Sequence, residues 1–136
     1  MPKVQADGLP LPLRYGAILT IVIGISMAVL DGAIANVALP TIATDLHATP
    51  ASSIWVVNAY QIAIVISLLS FSFLGDMFGY RRIYKCGLVV FLLSSLFCAL
   101  SDSLQMLTLA RVIQGFGGAA LMSVNTALIR LIYPQR

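Results

Sequence analysis

Residues Met27 to Pro40 read MAVLDGAIANVALP, and the fold turns on the single charge among them. Asp31 stands late in a run that begins near Tyr15 and is otherwise uncharged and apolar. A buried carboxylate is destabilising in a soluble core unless it is paired, and costlier still in hydrocarbon. Composition decides which medium applies. The 136-residue chain is 60% hydrophobic and 10% charged, with no glutamate, whereas a typical soluble domain is about 25% charged. Working outward from Asp31, the segments 15–39, 50–74, 83–101 and 103–131 each reach the roughly 20 mostly apolar residues of a spanning helix. The expectation is an all-α membrane protein with four transmembrane helices. Little chain is left between them, so residues 1–136 read as one unit with no separate soluble domain.

The first segment is too long for a secretory signal, and no small-residue cleavage site with a soluble part follows it, so it reads as a retained helix. Cys86 and Cys98 fall on one predicted helix, about 18 Å apart along its axis and beyond disulfide reach. They read as two small core residues. His47 is the only histidine and sits in a loop without metal-ligand company. Neither a metal site nor a catalytic residue is indicated, and the chain does not read as an enzyme.

The net charge is +3, and its placement is informative. Lys3 and Arg14 precede the first segment, Arg81, Arg82 and Lys85 separate the second from the third, and Arg130 and Arg136 close the fourth. The other two connections, 41–49 and the turn at Asp102, hold no lysine or arginine. Seven of the 8 basic residues therefore lie on one side, which the positive-inside rule makes cytoplasmic, N-terminus included. Charges that flank helices form no nucleic-acid patch. Thr49-Pro50 looks like a cap and first-turn proline opening the second helix, and Asp102 with Gln105 like a capping box opening the fourth. Pro40 and Pro134 stand where the first and fourth helices are expected to stop.

This topology fixes depth. Asp31 lies nine residues before Pro40 and Arg111 nine after Asp102. Each is then about 13 Å below the outer boundary, near the middle of the hydrocarbon. The one deep acid and the one deep base share a level. Around Asp31 the same helix face holds Thr20, Gly24, Met27, Ala28, Ala35 and Ala38. Around Arg111 it holds Thr108, Gln114, Gly115, Gly118, Met122 and Asn125, while Phe116, Leu121 and Leu128 look elsewhere. Both faces are small or polar, as beside another helix or a hydrated cavity, and Asn58 and Gln61 make a weaker polar spot on the second helix. Intramembrane ionisable residues are functional by default. A carboxylate whose access to arginine or water changes through a cycle can take and release a proton, and when ionised it attracts a lipophilic cation. The plain alternative is an Asp31–Arg111 pair that only fixes packing. Gly115, Gly117, Gly118 and Ala119 read as close-packing positions between helices.

Three stretches together resemble the major facilitator superfamily, in its fourteen-helix drug:proton antiporter branch. In LDGAIANVALP, Leu30, Asp31, Asn36, Ala38, Leu39 and Pro40 match the branch's first-helix signature, with Ala33 in place of its threonine. SFLGDMFGYRR resembles the loop between helices two and three: Leu74, Asp76, Gly79 and Arg81 match, while Ser72, Met77 and Tyr80 depart from it. Tyr80 stands where the first basic residue belongs, which leaves Arg81 or Arg82 to act as the clamp. LTLARVIQGFGGAA is similar to the fourth-helix motif through Leu107, Arg111, Gln114, Gly115, Gly117, Ala119 and Ala120. WVVNAY, residues 55–60, also looks like the branch's second helix.

The resemblance implies the first part of an N-terminal six-helix bundle in the inner membrane of a bacterium. It implies that Asp31 and Arg111, oriented by Gln114, serve proton coupling or cationic substrates, and that the Asp76–Arg82 loop helps govern the switch between inward- and outward-open states. The energy source would be the proton gradient, with no cofactor. The partners would be lipid, protons, a cationic or amphipathic small molecule and the remaining helices of the same transporter. Family transporters place the substrate between two six-helix halves, so four helices are expected to be a fragment. Two other readings stand beside this one: a complete four-helix small multidrug exporter working as a dimer around an acid in its first helix, and a non-transporting membrane scaffold. Neither accounts for the loop motif.

Overall fold

The computed structural model describes residues 9–132, so Lys3, Pro134 and Arg136 lie outside the described residues. Within them run α1 (Leu11–Asp45), α2 (Pro50–Phe78), α3 (Tyr80–Ala99) and α4 (Leu104–Ile132), without strands. All four are long and apolar enough to cross a membrane. Large apolar side chains such as Val37, Val65 and Leu69 point outward, as expected of surfaces that meet lipid rather than water.

Two boundaries differ from the sequence expectation. Pro40 does not end α1, which runs through it to Asp45. A proline forfeits one backbone hydrogen bond, here to the Asn36 carbonyl, whereas opening the helix would orphan several. The stop is a Schellman motif. His47 adopts φ 51°, and Ala48 N–H reaches the Ala43 carbonyl (2.8 Å) while His47 N–H reaches that of Thr44 (3.2 Å). At α4 the cap is Ser103, not Asp102, because its Oγ accepts from Met106 N–H at 3.2 Å. Thr49 caps α2 as expected, accepting from Ser52 N–H at 3.2 Å, with Pro50 following. Cys86 is exposed rather than in the core.

α4 is the centre, packed extensively against both α2 and α3 and less so against α1. Leu121 and Leu128, which turn away from the Arg111 side, are buried because α4 has neighbours on both flanks. Small residues make this possible. A Cβ added at Gly117 would stand 2.7 Å from Phe91 N and 3.0 Å from the Gly87 carbonyl, so the α3 and α4 backbones are in direct contact. Phe91, Leu121, Val124 and Tyr84 fill the core on that flank. The helix ends carrying Arg14, Arg81, Lys85 and Arg130 gather on one side. Leu9 N–H meets the Ile132 carbonyl (3.3 Å), and both residues border a groove of about 900 Å³ shared with Arg81 and Lys85.

α1 is held to the bundle by apolar contacts, with Ile21 in the core and Ala17, Ile18, Met27 and Ala28 against it, and by polar points. The Tyr84 hydroxyl from α3 donates to the Thr20 carbonyl at 2.9 Å, and it does so in the space that the missing side chain of Gly24 leaves open. Tyr84→Phe keeps the ring and deletes this bond. It is expected to lower stability by about 0.5–1.5 kcal/mol, read as a lower melting temperature of the solubilised full-length transporter.

Candidate functional site

Halfway along the bundle, α1 and α4 are joined by Asp31 and Arg111. Arg111 Nη1 donates to Asp31 Oδ2 at 2.6 Å and to Gln114 Oε1 at 2.8 Å. Gln114 Nε2 in turn donates to Asp31 Oδ1 at 2.9 Å and to Ser95 Oγ on α3 at 2.8 Å. The Cys98 thiol lies 3.5 Å from Gln114 Oε1. The three-residue offset between Arg111 and Gln114 puts both on one helix face, where one carboxylate spans their donors. The amide orientation follows from chemistry, since its oxygen must face the guanidinium and its NH2 the carboxylate.

Burial is unequal across the pair. The Arg111 side chain is 4% exposed and that of Asp31 21%, while Gln114 is fully enclosed. The base is thus enclosed by these four helices, and the acid lies on the side that they leave open. A second partner comes from α2: the Arg111 guanidinium carbon lies 4.1 Å from the centroid of the Tyr60 ring, a cation–π distance. All four helices therefore contribute to the site.

The expected level match of Asp31 and Arg111 is realised as a direct ion pair, and Gln114 joins them. Asn36, Asn58 and Gln61 do not; each is exposed and shares no hydrogen bond with the network among the described residues. Gly115 and Gly118 pack against Tyr60: an added Cβ would lie 2.7 Å from the Tyr60 carbonyl at the first and 3.2 Å from its hydroxyl at the second. Ala119 and Gly117 are buried. Tyr60, Ser95 and Cys98 escaped the sequence reading. For Tyr60 a signal exists, because Ser53, Val56, Tyr60, Ala63 and Ser67 recur at alternating steps of three and four, and all are buried.

At the basic end, a single residue connects α2 and α3. Gly79 takes φ 94° and ψ 131°, a conformation that residues with a Cβ rarely adopt. Asp76 accepts a hydrogen bond from the Tyr80 hydroxyl and forms no ion pair among the described residues. Arg81 and Arg82 are exposed. The tyrosine that departs from the loop pattern is the residue that meets the aspartate.

A family profile described as Major Facilitator Superfamily matches residues 21–136. The chain is 99% identical, over all 136 residues, to an Escherichia coli protein named uncharacterized transporter YebQ, of which it covers 30%. It is 35% identical over 121 residues to the riboflavin transporter RibZ of Clostridioides difficile, covering 89% of this chain and 26% of that one. It is 39% identical over 115 residues to the putative multidrug resistance protein MdtD of Salmonella paratyphi B, covering 85% and 24%. The chain thus spans about a quarter to a third of the length of these relatives. No solved structure matched.

Proposed function

The chain belongs to the major facilitator superfamily, a family of multi-pass membrane transporters and not of enzymes, and on that premise we propose that it is the N-terminal part of a proton-coupled exporter of lipophilic or cationic compounds. Asp31 is the proton-binding group in this reading, and Arg111, oriented by Gln114, is its fixed counter-charge. One observation carries it: both carboxylate oxygens of Asp31 accept hydrogen bonds from α4. Binding a proton removes the charge that holds the guanidinium and turns an acceptor oxygen into a donor facing donors. The clamp between α1 and α4 then opens. Deprotonation restores it, or frees the carboxylate for a cationic substrate, so that proton and drug compete for one acid.

Asp31 lies on the side that these four helices leave open, and in this reading that side faces an aqueous cavity between the two halves of the transporter, which the remaining helices of the same protein close. The proton gradient is the energy source and no cofactor is required. The gathering of basic helix ends supports a cytoplasmic N-terminus in the inner membrane of a bacterium. The Asp76–Arg82 segment lies at that end, where a change in its contacts would bear on the switch between inward- and outward-open states. The name of MdtD supports the drug class; that of RibZ supplies the rival substrate, a planar flavin.

Exchanging the pair, Asp31→Arg with Arg111→Asp, tests the assignment in the full-length transporter. A structural pair tolerates reversal, because the ion pair reforms between α1 and α4. A proton site does not, because the acid then lies on the enclosed helix and the base on the accessible one. The expected result is an inserted protein without pH-gradient-driven efflux of cationic dyes in proteoliposomes. Efflux at the original rate would overturn the coupling assignment, and gradient-driven movement of riboflavin but not of dyes would overturn the substrate class.

A further inference from the structure

We infer that Tyr60 is a positioning residue for the coupling site: its ring is the surface on which Arg111 rests when Asp31 lets go. The inference rests on the proposed role of the Asp31–Arg111 pair and adds to it a part that neither charged residue can play. A guanidinium 4% exposed cannot lose its only carboxylate partner among the described residues without another way to offset its desolvation. Gln114 Oε1 offers one hydrogen bond, and Arg111 Nε makes none among the described residues. The aromatic face 4.1 Å from the guanidinium carbon supplies the remainder, and it does so without a charge that would compete with Asp31 for the cation.

The ring's position is built into the backbone. Gly115 lets the α2 main chain approach α4 at Tyr60, and Gly118 leaves space for the Tyr60 hydroxyl. A larger residue at either point would lift the ring off Arg111. The glycines that first read as generic close packing thus form a seat for one side chain. The groups facing Arg111 are Asp31 from α1, Tyr60 from α2 and Gln114 on its own helix, with Cys98 and Ser95 of α3 reaching it through Gln114. Of these, Tyr60 is the contact that gains weight when Asp31 is protonated, because the guanidinium is then no longer shared with a carboxylate and settles on the ring.

The consequence has a sign. Without the ring, the protonated state of the pair is less well supported, while the paired state keeps its carboxylate. More acid is then needed to open the clamp, so the pH–rate profile of transport moves to lower pH.

The test compares Tyr60→Phe and Tyr60→Leu in the full-length transporter, reconstituted with an imposed pH gradient and scored as dye efflux per monodisperse molecule across a pH series. Phenylalanine retains the ring face and is expected to retain the rate and the profile. Leucine is expected to slow proton-driven efflux by about 30-fold, the scale of one desolvated cation–π contact, and to move the profile to lower pH. Tyr60→Met repeats the comparison should leucine fail to fold. Leucine or methionine variants with the original rate and profile would overturn the role of Tyr60. If Asp31→Asn, assayed alongside, still couples efflux to the gradient, it is the reading of the pair that fails. If that control is dead while the leucine variant is unchanged, only the Tyr60 inference fails.

Discussion

Asp31→Asn in the full-length transporter is expected to reduce proton-driven efflux to background while the protein still inserts in the membrane. Asparagine matches aspartate in shape but cannot carry the proton or the charge. Its amide can present one acceptor oxygen to α4, to either Arg111 or Gln114, and must present its NH2 to the other. The clamp between α1 and α4 then exists permanently in weakened form and no longer responds to pH. Insertion is retained because a central aspartate is unfavourable by about 2.5–3.5 kcal/mol on insertion scales, so α1 becomes more apolar. Arg111 keeps Gln114 Oε1 and the Tyr60 ring, which limits the cost of losing its counter-ion. The measurement is efflux of several cationic dyes from proteoliposomes with and without a pH gradient, at matched protein content. Gradient-dependent efflux at the original rate would show that Asp31 is not the coupling acid.

The level of the two charges was legible in the sequence because a helix advances a fixed 1.5 Å per residue and polar turns mark where the membrane ends. Motif spacing supplied Gln114 as well. Helix ends were less legible. Pro40 is a strong stop signal in water, but within an apolar stretch the helix that continues satisfies more backbone groups than the helix that breaks. The turn that does stop α1 depends on the positive φ of His47, a residue with no strong preference for it. The aromatic member of the site was missed for a different reason. Asn58 and Gln61 attract notice as polar residues in an apolar run, yet both are exposed. Tyr60, between them, is set facing α4 by the rotation of α2. The helical steps of Ser53, Val56, Tyr60, Ala63 and Ser67 mark that face as buried, but the partner it meets, the glycine seat some 55 residues later in the chain, is not encoded in α2.

Gly117→Ala, a change of one methyl group, is expected to destabilise the bundle by about 1–3 kcal/mol, and Gly117→Leu to abolish accumulation of folded protein. The new Cβ would lie 2.7 Å from Phe91 N and 3.0 Å from both Phe91 Cα and the Gly87 carbonyl oxygen. These are backbone atoms of α3, so no rotamer change relieves the contact and the two helices must separate. In lipid, separation is not opposed by a hydrophobic drive between helices, and close packing is what holds them. Gly32 is the control, since nothing among the described residues lies within 4 Å of a Cβ added there, and alanine at that position is expected to be neutral or slightly stabilising through its helix propensity. The comparison is the thermal midpoint of the solubilised transporter, and a Gly117→Ala variant as stable as the original would mean that the α3–α4 contact is looser than described. The effect also reaches the coupling site. Phe91 and Ser95 are one turn apart on α3, and Gly117 and Gln114 one turn apart on α4. Widening the crossing at Gly117 therefore draws Ser95 away from Gln114 Nε2, loosening the amide that aligns Arg111 with Asp31. The same variant should then transport more slowly per folded molecule, tying a sterically confined glycine of α4 to the chemistry one turn away.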